Sequence, residues 1–188
     1  MFKNNTILDV LRYITLFVVL SIYVSCGESV SKSNEVILEI GWLLVEKENY
    51  SIAHPKEWSV DMSGRFGVDL FLFSPKKDSA DTFKENVNLY IEDLQDANVD
   101  QNAYFEISKK QLASVITDAK LLESSFISEL GAHRNIFIGK QGVLAFKSQQ
   151  YYWVADEKAY VVTLTCQESE YENYKTLGEK IIATFTIK

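Results

Sequence analysis

The residues able to do chemistry are few and scattered. The chain has two cysteines, Cys26 and Cys166, and two histidines, His54 and His133. Cys166 with two histidines far apart in the chain makes no zinc-type ligand set. A hydrolytic or acyl-transfer centre needs a nucleophile or base with an orienting partner. His54 stands before Pro55, and His133 sits in Ala-His-Arg-Asn, which reads as a turn. Neither has a motif beside it, so both are expected to be ordinary surface or edge residues. No Gly-x-Ser-x-Gly, His-Glu-x-x-His or P-loop spacing occurs. Asp96, Asn98, Asp100 and Asn102 alternate as in a calcium loop. An EF-hand starting at Asp96 would need glycine where Gln101 stands and glutamate where Ile107 stands. That run therefore reads as a helix-capping loop. The expectation is no catalytic residue, no metal ligand and no cofactor.

Cys26 is different because of what precedes it. Ile14 to Val24 is an apolar run, preceded by Lys3, Asp9 and Arg12 and followed by Ser25, Cys26 and Gly27. About a dozen apolar residues suit the core of a secretory signal, whereas a membrane-spanning helix needs roughly 20. Val24-Ser25-Cys26-Gly27 resembles the bacterial lipobox, in which the cysteine is acylated and becomes the first residue after cleavage. Tyr23 departs from the leucine usual three places before that cysteine, and Bacteroidetes lipoproteins look similar at this point. The reading is a signal peptide over residues 1–25, lipidation at Cys26, a polar tether over 26–34 and one globular domain over 35–188. Simple secretion is an alternative. So is an uncleaved anchor helix reaching back through Leu8, Val10 and Leu11, which Asp9 and Arg12 interrupt. One acyl chain binds a membrane marginally and several bind it stably. If Cys26 is acylated, Cys166 has no partner for an internal disulfide. Cys166 closes the alternating run Tyr160–Cys166 and reads as a buried, inert thiol.

The charge balance narrows the partners. The net charge is −7, and loss of Lys3, Arg12 and Asp9 with the leader makes the remainder more acidic still. That argues against nucleic acid and against charge-driven adhesion to anionic lipid. The acids are spread along the chain, as on a solvated surface.

The elements that must position any site are mostly strands. Val36, Leu38 and Ile40 alternate, Trp42–Val45 is apolar, and Tyr50, Ile52 and His54 alternate up to Pro55. Trp58, Val60 and Met62 follow, then Val68–Phe73, a charged loop over Lys76–Glu85, and Val87, Leu89 and Ile91. Asp100 or Asn102 can cap a helix running to about Thr117, with Phe105, Ser108, Leu112, Val115, Ile116 and Ala119 on one face. Leu122–Ile127, Ile136–Ile138, Val143–Val154 and Tyr160–Cys166 read as an antiparallel meander, with a tight connection over Gly139–Gly142 and a turn at Asp156-Glu-Lys158. Ser169 and Glu172 form a Ser-x-x-Glu capping box. Behind it Tyr171, Tyr174, Leu177, Gly178, Ile181 and Ile182 form an apolar stripe, and Gly178 would let that helix approach a sheet closely. The fold class is α+β, an antiparallel sheet with helices packed on its faces.

Tyr50-Ser-Ile-Ala-His-Pro55-Lys-Glu-Trp58 resembles the opening of PsbP-like domains, an aromatic-x-hydrophobic-x-x-Pro-x-x-Trp segment. Phe73-Ser74-Pro75, the strand after it, the mid-chain helix, the long meander and the final helix with its Phe185 tail are similar too. The resemblance covers about residues 41–188 and implies a PsbP-like α/β/α sandwich. Members of that family include extrinsic photosystem subunits linked to calcium and chloride retention, and bacterial lipoproteins. A eukaryotic Ran-binding protein shares the fold. Nothing in this chain points to photosynthesis. Trp58 itself is expected to fold back from the Pro55 turn onto the core, with a ligand platform as the alternative.

Together these readings suggest an exported, lipid-anchored, non-catalytic binding or assembly domain of the bacterial cell envelope. It would be held on the periplasmic face or in the outer membrane. Its partners would be the membrane, through the lipid on Cys26, and another envelope protein. Tyr151 and Trp153 would offer a partner surface, since aromatic residues are enriched at interfaces. The alternatives are a small-ligand or calcium carrier and an envelope enzyme with a site assembled from distant residues.

Overall fold

The computed structural model describes residues 36–37, 40–79, 81–95, 97 and 99–188. The signal, the tether, Cys26, Asp96 and Asn98 lie outside the described residues. In chain order the elements are β1 (Val36–Ile37), β2 (Trp42–Glu46), β3 (Tyr50–Pro55), β4 (Ser59–Asp61), β5 (Leu70–Phe73), β6 (Asn86–Asp93), α1 (Gln101–Val115), β7 (Thr117–Ile127), β8 (Ala132–Gln141), β9 (Leu144–Ala155), β10 (Lys158–Gln167), α2 (Tyr171–Ala183) and β11 (Thr186–Ile187).

The strands form two antiparallel sheets, where one was expected. The larger has seven strands in the order β4-β5-β6-β10-β9-β8-β7, and the smaller has four in the order β1-β2-β3-β11. Pro55 is where they part. It ends β3 opposite Trp42, and its carbonyl accepts the Trp58 N–H at 2.9 Å across the turn. That turn sends the chain into β4 and folds the Trp58 ring onto the core, 5% exposed. The ring meets Tyr174 of α2 edge-on at 6.4 Å.

Alternation along β10 separates the layers. Val162, Leu164 and Cys166 join the main core with Ile181 and Ile182 of α2 and with Val45 and Ile52 of the small sheet. Ala159 and Val161 point the other way, toward Tyr104 and Phe105 of α1. The large sheet is thus sandwiched between α1 on one face and α2 with the small sheet on the other. Fully burying each large apolar side chain stabilises such a core by about 1.5–3 kcal/mol. Helix α1 carries the chain from β6, inside the sheet, to β7 at its far edge. The meander β7-β8-β9-β10 then returns until β10 pairs with β6.

Local details differ from the pattern reading. The Ala132-His-Arg-Asn segment is the start of β8, not a turn, because the turn falls earlier, at Ser128–Gly131. Gly139 lies inside β8, and only Gly142 and Val143 make the tight connection. An added Cβ at Gly139 would lie 2.3 Å from Ile116 Cγ2, so that glycine serves close packing. Ile40 is fully exposed in a turn and does not extend the first strand. The Ser169/Glu172 capping box does not form. Ser169 sits in a 3-10 turn over Glu168–Glu170, and no side chain caps α2. Glu170 is instead engaged by Lys77 and by Asn173 Nδ2 at 2.8 Å.

The close approach expected at Gly178 is present. A Cβ there would fall 2.5 Å from Leu164 Cδ2. Alanine is the better helix former by about 1 kcal/mol, but here it collides with a buried strand. Gly178→Ala should therefore lower stability, by about 1–3 kcal/mol, in urea unfolding followed by circular dichroism. A gain in stability would mean that the helix does not sit this close.

Candidate functional site

The large-sheet face under α1 carries polar groups where a covered face is usually apolar. Asn88 of β6 stands opposite Thr163 of β10, Thr163 opposite Gln150 of β9, and Gln150 opposite Asn135 of β8. Directly opposed residues share a face, so the four form one row across the sheet. All four are at least nine-tenths buried, and Asn135 is fully so. A second row, Asn86, Thr165 and Ser148, runs beside it.

These groups tolerate burial because they pair with each other. Gln150 Nε2 donates to Thr163 Oγ1 at 3.0 Å, and Ser148 donates to Thr165 at 3.2 Å. Asn88 Nδ2 donates to Asn86 Oδ1 at 3.1 Å. The Tyr152 hydroxyl donates to Gln150 Oε1 and accepts from Asn135 Nδ2 at 3.3 Å. Among the described residues Asn135 Oδ1 and Glu92 Oε1 are buried acceptors without a hydrogen-bond partner, as are Gln111 Oε1 of α1 and Gln141 Oε1 of β8.

Glu92, at the end of β6, is the one buried acid on this face among the described residues, at 4% exposed. Its other oxygen accepts the Tyr104 hydroxyl of α1 at 2.7 Å. Burial pushes its pKa up to about 7, and the Tyr104 bond pulls back part of that rise. Burial and the nearby Glu92 charge push Tyr104 well above its ordinary range.

The first turn of α1 is clipped to the sheet at several points. Asp100, rather than Asn102, caps it, accepting the Ala103 N–H at 2.8 Å. Gln101 donates to the Gly131 carbonyl at 3.0 Å and accepts the Val154 N–H at 3.2 Å. His133 Nε2 lies 2.7 Å from Asn102 Oδ1. That oxygen only accepts, so Nε2 carries the proton. The His133 ring stacks on Phe105 at 4.3 Å, with Phe126 edge-on at 5.0 Å. Burial, with Lys109, lowers its pKa, against the pull of Glu106.

The residues singled out by sequence sit elsewhere. Cys26 lies outside the described residues. Tyr151 does not present a partner surface; it is 3% exposed, and its hydroxyl donates to Gln149 at 3.1 Å. Trp153 is half-buried beside it, stacked at 6.1 Å, packed on Phe185 at 5.0 Å and donating to the Leu130 carbonyl at 2.8 Å. Alternation turns both toward the main core, while Tyr152 between them faces α1. His54 is neither surface nor edge. It is 1% exposed in β3, between β2 and β11, and its Nδ1 donates to the Pro55 carbonyl at 2.8 Å. Cys166 is fully buried, and burial raises its pKa far from the reactive range.

The polar row was missed because its residues fill the alternate positions of strands, which read as solvent-facing. The usable signal is their chemistry. Asn86, Asn88, Ser148, Gln150, Thr163 and Thr165 are uncharged, whereas solvent faces of strands favour Lys and Glu. Among the described residues no group of three His, Cys, Asp or Glu side chains could hold a metal ion. A shallow hollow of about 440 Å³ lies apart from this face, between Val143–Ala145 and Gln167–Ser169. What the face offers chemically is a set of buried neutral amide and hydroxyl groups with one buried acid, Glu92.

No family model and no curated protein matches this chain. Solved structures do. Cyanobacterial PsbP (CyanoP) from Synechocystis sp. PCC 6803 is similar over 88% of this chain and 98% of its own, with TM-score 0.54 and 14% identity. LpqN of Mycobacterium tuberculosis, described as involved in cell envelope biogenesis, is similar over 78% of this chain and 90% of its own, with TM-score 0.55 and 8% identity. A protein of unknown function from Pseudomonas aeruginosa is similar over 76% and 94%, with TM-score 0.52 and 12% identity. At such identities the likeness is one of fold.

The polar row makes a quantitative demand. Thr163→Val takes the acceptor from the buried Gln150 amide and should cost about 1–3 kcal/mol of stability. Adding Gln150→Leu should recover part of that loss. A double-mutant cycle in urea reads the coupling, and strictly additive losses would show that the two side chains do not pair.

Proposed function

On a PsbP-like α+β fold, we propose an exported, lipid-anchored, non-catalytic binding or assembly domain of the bacterial cell envelope. The observation that carries the reading is Val24-Ser25-Cys26-Gly27 at the end of the apolar run Ile14–Val24. In a lipobox the cysteine is acylated and becomes the first residue after cleavage. Attachment would place the domain at a membrane surface without a spanning helix, and no helix among the described residues is long and apolar enough to cross one.

Two further observations support it. Cys166 is buried in β10, which leaves Cys26 without a disulfide partner in the folded domain. LpqN, which has a similar fold, is described as involved in cell envelope biogenesis. A second protein of the envelope is the proposed partner, and an acidic chain of net charge −7 is ill suited to nucleic acid.

Metabolic labelling with a palmitate analogue, combined with membrane fractionation, tests the anchor. The wild-type chain should take up label and sediment with membranes. Cys26→Ala should lose both label and sedimentation. An unlabelled wild type, or label that survives in Cys26→Ala, overturns the anchor.

A further inference from the structure

We propose that α1 is a pH-released latch: ionisation of Glu92 loosens the N-terminal half of the helix and uncovers the polar row beneath it. The geometry makes Glu92 the sensitive point. It ties α1 to β6 through Tyr104, and among the described residues one of its two oxygens has no hydrogen-bond partner. A buried carboxylate is stable only when paired or multiply hydrogen-bonded. The described groups facing Glu92 give it neither a cation nor a second hydrogen bond. From α1 comes Tyr104, from its own strand Tyr90, from β9 Tyr152 across the Tyr104 ring, and from β10 Ala159, directly opposite. Leu94 and Val99, from the β6–α1 connection, add apolar surface.

The direction follows from proton linkage. The docked acid holds its proton to a higher pH than an undocked, solvated one, so docking is favoured below the ordinary carboxyl range. It weakens as pH rises toward and through about 7. His133 acts in the opposite sense. Its folded pKa is lowered, so its share of docking is lost as pH falls below the usual histidine range. His133 is only partly buried, and Glu92 is 4% exposed, so the acid dominates the alkaline side. The remaining clips, from Gln101 to the Gly131 carbonyl and the Val154 N–H, do not involve Glu92. Release is therefore local, and α2 with the main core stays in place.

Hydrogen exchange of the full chain in detergent, corrected for intrinsic rates, reads this directly. Protection over residues 100–108 should fall about tenfold from pH 6 to pH 8, while residues 171–182 of α2 keep theirs. Glu92→Gln should remove the pH dependence over α1. Tyr104→Phe takes away the one bond that favours the carboxylate and should move the transition to higher pH, which covers the case in which the glutamine variant folds poorly. The latch is overturned if wild-type α1 is equally protected at both pH values. It is equally overturned if Glu92→Gln keeps the loss, or if α1 and α2 lose protection together.

Discussion

Strand β10 is buried along both faces, and the two faces ask for different chemistry. On one side Val162, Leu164 and Cys166 meet α2 and the small sheet. That side tolerates no added bulk, because the α2 backbone passes so close at Gly178 that Leu164 fills the place of a Cβ. On the other side Ala159 and Val161 meet α1, and Thr163 and Thr165 join polar rows that pair with themselves. The arrangement of the other elements follows from this double burial. β6 and β9 flank the strand, the meander leads back to it, and each helix covers one of its faces.

The two faces also differ in how firmly they are closed. Apolar packing in the main core is non-directional and does not titrate. The α1 side adds directed bonds to its apolar packing: Tyr104 to Glu92, Asn102 with His133, and Gln101 to the backbone at Gly131 and Val154. Directed bonds fail singly when one partner changes its protonation state. The contacts of α2 with the main core do not involve those bonds, so α2 can keep its packing while α1 loosens.

Much of the fold was legible from spacing. Period-two runs located nearly all the strands, Asp100 marked the start of α1, and the Tyr171–Ile182 stripe marked the buried face of α2. Pro55 and Trp58 were read correctly as a turn and a ring folded onto the core. Three readings failed. Ala132–Asn135 looked like a turn because a short stretch with His, Arg and Asn carries no apolar period, yet pairing with β7 and β9, distant in sequence, makes it strand. Ser169 and Glu172 had the spacing of a capping box, but a 3-10 turn moved the helix start past Ser169. Tyr151 and Trp153 looked like an interface, and β9 turns both toward the main core.

By itself the sequence determined the acidic charge, the α+β class and most element positions, and it holds the apolar run and Cys26 on which the proposal of export rests. Those properties are local: they depend on residues adjacent in the chain or repeating with a helix or strand period. Tertiary structure alone decided that the strands divide into two sheets, that His54 is interior, and that neutral polar residues from β6, β10, β9 and β8 line up in one buried row. It also decided that Glu92 lies under Tyr104 with an oxygen left over. No period reports these facts, because burial and pKa depend on what a side chain faces across the sheet, and that is set only when strands distant in sequence come into register.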